Sequence, residues 1–174
     1  MENVFERENG VLERLSARFG VDAGQAVVKT RRIYLKVPTD VFMEALKYLR
    51  DELNFDHLCT ITGLDTGEHF EFLYHIAEPG GILMTLEYET PREDPVFIPT
   101  VLPVYPGAIF YERELESLLG VKVQGLPAGR QYPLPDNWPE GEYPQRKDWK
   151  PGIKVNSALH DAAKPQLTEP EKGV

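Results

Sequence analysis

Proline is distributed unevenly along this chain, and that unevenness limits the possible architecture more than any other feature. Of the 15 prolines, only Pro38 and Pro79 precede residue 91. A proline ring fixes φ and removes an amide donor, so helices and interior strands must fall where prolines are absent. The chain therefore divides into a front part able to build regular elements and a back part that cannot.

In the front part the hydrophobic periods are clear. A first helix is expected from about Asn3 to Phe19, because Phe5, Leu12, Leu15 and Phe19 recur at helical spacing and Gly20 follows as a cap. Arg31 to Val37 alternates, with Ile33, Leu35 and Val37 on one face and Tyr34 and Lys36 on the other, which is a half-buried strand. Pro38 stops it, and the Thr39 hydroxyl is expected to cap a second helix whose stripe is Phe42, Ala45, Leu46, Leu49 and Leu53. Strands are then expected at Leu58–Gly63, His69–Ala77 and Ile82–Thr90, with turns at Leu64-Asp65-Thr66-Gly67 and Glu78-Pro79-Gly80-Gly81. Loops this short join antiparallel neighbours. The expected class is α+β, a mostly antiparallel sheet packed against helices.

Pro91, Pro95, Pro99, Pro103 and Pro106 make the next stretch irregular. A last helix should run from about Gly107 to Leu119, with Ile109, Leu115, Leu118 and Leu119 apolar, Glu112-Arg113-Glu114 charged, and Gly120 as its cap. Val121-Lys122-Val123 fits a short edge strand. After Gly125, six prolines from Pro127 to Pro151 erase every period, yet Tyr132, Trp138, Tyr143 and Trp149 lie among them. A solvated linker would lack those rings. Three regions are expected: a domain over 1–124, an extended docking arm over 125–151 that is buried by another surface, and a polar tail over 152–174.

Composition removes several function classes. Nineteen basic against 28 acidic residues give a formal net charge of -9, which disfavours nucleic acid and anionic membrane surfaces as main partners. No apolar run approaches the ~20 residues that span a bilayer, and the charged start is unlike a leader peptide. A soluble acidic domain is expected. Cys59 is the only cysteine, expected as a small core residue, so no disulfide framework or cysteine-ligated cluster is expected. His57, His69, His75 and His160 show no ligand spacing, Gly80-Gly81 belongs to a turn, and Glu112 with Glu116 fits a solvated helix face. No catalytic, cofactor-binding or metal residue is expected in this chain.

Three segments in fixed order make the pattern specific. They are Tyr111-Glu112-Arg113-Glu114 with Leu119-Gly120; Gly125-Leu126-Pro127; and Leu134-Pro135-Asp136-Asn137-Trp138 followed by Pro144-Gln145-Arg146-Lys147-Asp148-Trp149. Together they resemble the NuoC-type subunit of respiratory complex I, a family that also supplies a hydrophilic subunit to energy-converting, membrane-bound nickel–iron hydrogenases. The strong match spans Phe110 to Pro151.

That resemblance implies a cofactor-free subunit of an ion-translocating oxidoreductase, peripheral on the cytoplasmic side of the cell membrane. It would dock on the large NuoD-like or nickel–iron hydrogenase subunit, near a small iron–sulfur subunit, and those partners would hold the nickel–iron centre and iron–sulfur clusters. The arm would wrap the large subunit. The implied interface is Glu112, Arg113, Glu114, Gly125, Pro127, Arg130, Leu134, Trp138, Arg146, Lys147, Asp148 and Trp149, with Trp138 and the Arg146-Lys147-Asp148 run as anchors. Ser117 replaces an acid usual in complex I, Leu126 replaces a histidine, and Arg130 alone remains of the expected arginines in 128–131. These departures favour a ferredoxin-linked, hydrogen-evolving hydrogenase. The alternatives are the matching subunit of an NADH- or ferredoxin:quinone oxidoreductase, a free-standing enzyme using His57, His75 or Glu87, and an adaptor that presents a proline-rich ligand.

Overall fold

The computed structural model describes residues 5–151. The expected tail, 152–174, with His160 in it, and the expected helix start at Asn3 lie outside the described residues. Helix α1 (Glu6–Phe19) buries Leu12 and Leu15 and ends on Gly20. A hairpin of β1 (Val27–Lys29) and β2 (Arg32–Lys36) follows, then α2 (Phe42–Leu53). Strand β1 is too short to show a period, which is why it escapes sequence inspection. Thr39 does not cap α2: the chain turns once more from Pro38, whose carbonyl accepts from the Val41 amide at 3.3 Å, and α2 starts after Val41 without a side-chain cap.

Strands β3 (His57–Asp65), β4 (His69–Ala77) and β5 (Leu83–Pro91) form the expected antiparallel meander. The sheet order is β1-β2-β5-β4-β3, and β2 joins β5 in parallel with Ile33 opposite Met84 and Leu35 opposite Leu86. Alternation decides the two faces. Phe70, Phe72, Tyr74 and Ile76 of β4 point into the core, while His69, Glu71, Leu73 and His75 lie on the other side. The Phe42 ring of α2 packs 4.8 Å from both Tyr74 and Tyr88, so α2 covers the apolar face. Cys59 is half-buried at a β-bulge in β3 rather than in the core, where the register shift between Leu58 and Thr60 leaves it without a partner in β4.

The proline-rich stretch after β5 is irregular but not solvated. It buries Val96, Ile98, Val101, Val104 and Tyr105, and contributes β6 (Phe97–Pro99). That strand pairs in parallel with β7 (Lys122–Gln124), the expected edge strand. Between them α3 (Ile109–Leu119) lays Leu115 and Leu119 on Gly63 of β3, where any Cβ would collide with both side chains. Three helices therefore share one face of the five-stranded sheet. No helix among the described residues is long and apolar enough to cross a membrane.

The arm contains no helix or strand, as its prolines require, yet it does not stand away from the domain. Residues 143–149 lie against α3 and the β3–β4 turn of the same chain. The expectation of an arm whose burial comes wholly from another molecule is corrected: Arg146 pairs with Asp94 and donates to the Leu119 carbonyl, and the Lys147 amide donates to the buried Asp65.

Candidate docking site

The site is built on α3. Glu112 sits in its first turn but on the inner side, with no solvent exposure, so the triplet 112–114 is not one charged outer face. The Thr100 hydroxyl donates to one carboxylate oxygen at 2.7 Å and the Val101 amide to the other at 2.5 Å. Burial pushes the Glu112 carboxyl up from its ordinary value, and those two donors oppose the shift. Both oxygens are engaged inside the chain, so Glu112 tethers the 100–101 segment to α3. The solvated face expected of Glu112 with Glu116 is corrected as well, since Glu116 is half-buried and accepts from the Val123 amide at 3.1 Å. Arg113 is on the outer side and donates to the Pro127 carbonyl at 2.5 Å, fixing the start of the arm just after Gly125. Glu114 lines a hollow with Leu115 and Gln145.

The arm then follows α3. The Tyr132 amide donates to the Ser117 hydroxyl at 3.2 Å, the Gln145 amide to the Leu118 carbonyl at 3.0 Å, and Arg146 Nε to the Leu119 carbonyl at 2.6 Å. A helix leaves its last carbonyls without intrahelical donors. Here the arm supplies two of them, and a cation at that end also suits the helix dipole. Gly120 completes the helix end at φ 73°, and the Tyr143 ring occupies the space a Cβ would need.

Arg146 is the centre of the clasp. Its two terminal nitrogens donate to Asp94 at 2.5 and 2.7 Å, and its guanidinium lies 4.8 Å from the Tyr143 ring centroid and 5.5 Å from that of Phe70. The Arg146 hydrogen bond holds the Asp94 carboxyl below its usual range. The Lys147 amide donates to Asp65 at 2.9 Å and its ammonium to the Thr66 carbonyl at 2.6 Å. Asp65 has no side-chain exposure, and Arg92 stands 3.1 Å from it although its N–H is not aimed for a hydrogen bond. Arg92 reaches on to Asp148 at 2.5 Å. Sequence inspection missed Asp65, Arg92 and Asp94, because they sit at a strand end or in a loop, where acids and bases are ordinary.

Of the remaining expected residues, Arg130, Leu134 and Trp138 lie in the loop between the two fastenings, and Trp149 follows the second. Arg130 is exposed and pairs with Asp136, and Leu134 is half-buried. Trp138 and Trp149 pack with centroids 6.1 Å apart, and Glu142 accepts from both indoles, through its carbonyl at 2.8 Å and its carboxylate at 2.5 Å. Tyr132, 44% exposed, meets Phe110, 60% exposed, edge to face at 5.4 Å. Phe110 is a functional candidate that a helix pattern alone does not reveal; only an apolar residue out of phase with Leu115 and Leu118 hints at it.

Elsewhere the described histidines do not gather into one centre. His57 is exposed at the start of β3, and His75 lies between Thr62 at 3.4 Å and Thr85 at 3.0 Å. The register of β4 and β5 does bring His69, Glu71 and Glu89 within 4.8 Å of one another, a grouping that sequence spacing could not show.

The profile of the family described as "Respiratory-chain NADH dehydrogenase, 30 Kd subunit" matches residues 35–154. A subunit of the F(420)H(2) dehydrogenase of Methanosarcina mazei is 34% identical over 144 residues, covering 80% of this chain and 90% of that protein. The beta subunit of the membrane-bound hydrogenase of Pyrococcus furiosus is 30% identical over 173 residues, 93% of this chain and 96% of that one. A chain in the structure of the membrane-bound sulfane sulfur reductase, an archaeal respiratory membrane complex, shares the fold at a TM-score of 0.73 over 97% of this chain and 99% of its own, with 24% identity. With the profile running from β2 through the clasp and two relatives matched along most of their length, the chain belongs to the 30 kDa (NuoC-type) subunit family of the respiratory-chain NADH dehydrogenase.

Proposed function

We propose that this chain is a cofactor-free structural subunit of a membrane-associated, ion-translocating oxidoreductase, docked on the large catalytic subunit of a ferredoxin-linked, hydrogen-evolving nickel–iron hydrogenase. Its place is peripheral, on the cytoplasmic side of the membrane, with the nickel–iron centre and iron–sulfur clusters in neighbouring subunits. The observation that carries this is similarity along nearly the whole of both chains to the beta subunit of a membrane-bound hydrogenase. The geometry supports a docking role: the loop 126–142 is fastened at both ends to α3, which holds Phe110, Tyr132 and Trp138 in place before any partner arrives. Preorganised aromatic residues are the side chains that give the most affinity for the least ordering cost.

A second reading is the equivalent subunit of a quinone-reducing or F420H2-oxidising complex, favoured by the 34% identity to the Methanosarcina protein. Purification of the tagged chain from detergent-solubilised membranes, with mass spectrometry of what accompanies it, separates the two. A nickel–iron large subunit supports the first. A quinone-pocket subunit with an NADH- or F420H2-oxidising partner supports the second. Recovery of the chain alone refutes both.

A further inference from the structure

The sheet face opposite the helices is segregated by charge. In the rows given by strand register, Lys29 and Arg32 stand at one end, beside an open hollow of about 410 Å³ lined also by Val27, Tyr34 and Leu83. At the other end Glu71 of β4 lies directly opposite Glu89 of β5, and Glu87 follows two residues along. Like charges placed directly opposite on antiparallel strands are unfavourable. Among the described residues, the basic side chains that meet these three carboxylates are Lys36, 2.5 Å from Glu89 and 3.5 Å from Glu87, and His69, 3.2 Å from both Glu71 and Glu89. Burial, and after it the neighbouring Glu89, push the Glu87 carboxyl up. No helix among the described residues packs on this face, and its apolar members Val27 and Leu64 remain 51% and 42% exposed.

We propose that this face is a second docking surface, for a protein face of a neighbouring subunit that brings arginine or lysine to Glu71 and Glu89 and an acid to Lys29 and Arg32. The inference rests on the proposed function, since it needs a complex in which this chain has more than one neighbour. Complementary charge explains why the opposed carboxylates are kept despite their cost: the partner's cations relieve them on assembly, and the two charged ends fix orientation. The hollow at the basic end takes an apolar side chain against Val27, Tyr34 and Leu83, next to the charges of Lys29 and Arg32.

The test compares the tagged wild-type chain with Glu71→Gln/Glu89→Gln and Glu71→Lys/Glu89→Lys, each expressed in place of the native subunit. Accompanying subunits are quantified after purification from solubilised membranes at low and moderate salt. The glutamine pair removes an unfavourable opposition, so its melting temperature is expected within about 2 °C of wild type or above it. Recovery of one neighbouring subunit is expected to fall about tenfold for the lysine pair and less for the glutamine pair, with the wild-type salt dependence largely lost in both. Equal recovery in all three overturns the inference alone. A wild-type chain that recovers no subunit overturns the proposed function, and the inference with it. Three other outcomes also overturn it: a glutamine pair that unfolds, which makes the carboxylates part of the fold; stoichiometric zinc or manganese uptake by the wild type that the variants lose; or a wild-type dimer in sedimentation that the variants abolish, which makes the occupant a second copy.

Discussion

Arg146 and Asp94, 52 residues apart in sequence, form a two-bond ion pair, and the same guanidinium donates from Nε to the last carbonyl of α3. One side chain thus caps a helix and closes the arm on its own domain. Arg146→Ala removes three charge-assisted donors. It is expected to lower the melting temperature by about 2–8 °C and to expose residues 126–149 to proteolysis. Arg146→Lys should not restore either property, because an ammonium cannot bind Asp94 through two parallel bonds while reaching Leu119. A chain ending near Gln124 is expected to be less stable than the full one for the same reason.

The clasp has a defined pH response. The hydrogen bond from Arg146 depresses the Asp94 carboxyl below its ordinary 3.8, so its contribution is present above that value and disappears as pH falls through the lower folded value. Protection of residues 143–149 from hydrogen exchange, corrected for intrinsic rates, is expected to be level from pH 8 to pH 5 and to fall only in stronger acid. Loss of protection already at pH 5 would show that another group governs the clasp.

Glu112 has the opposite sign. Its folded carboxyl is raised by burial above 4.5, so the native state holds the proton more tightly than the unfolded one, and stability declines as pH rises through that interval. Glu112→Gln keeps an acceptor for Val101 and gains a donor for Thr100. It is expected to melt within about 1 kcal/mol of wild type at pH 7 and to flatten the decline above pH 4.5, whereas Glu112→Ala strands the Val101 amide and melts earlier. Thermal melts across pH 4 to 8 check both.

Gly120 is constrained twice, by φ 73° and by the Tyr143 ring. Gly120→Ala is expected to cost about 1–2 kcal/mol for the left-handed conformation alone. It should also lift Tyr143 and so weaken the clasp. Tyr143→Ala should loosen the arm without the backbone cost, and denaturant melts of the two variants separate the contributions.

Much of this fold is legible in the sequence because single periods decide it. Ile33 and Leu35 alternate into a strand, the 42–53 stripe fixes a helix, and the short loops after Gly63 and Ala77 force a meander. Strand β1 and the pairing of β6 with β7 escape notice, since three-residue strands carry no period and the β6 partner is distant in sequence. The arm signature Arg146-Lys147-Asp148 is visible as a motif, but its intrachain partners Asp94, Asp65 and Arg92 are not, because each contact joins residues more than 50 positions apart. Three-dimensional packing likewise hides Glu112: only the fold shows that the first of three charged residues faces inward.

The proposed function places docking on the loop that the clasp presents, and the exposed pair Phe110 and Tyr132 tests that proposal without touching the core. Phe110→Ala/Tyr132→Ala is expected to change stability by no more than about 0.5 kcal/mol, as exposed substitutions do. Its affinity for the large subunit should fall by about tenfold or more, as when interface aromatics are truncated.

Hydrogen exchange of the free chain and of the purified complex, compared segment by segment, tests the central claim most directly. Residues 143–149 should be protected in both states, since the clasp is internal, while residues 128–138 and Phe110 should gain protection only in the complex. Protection of 128–138 that is identical in the two states would mean that the loop meets no partner, and the docking account would be wrong.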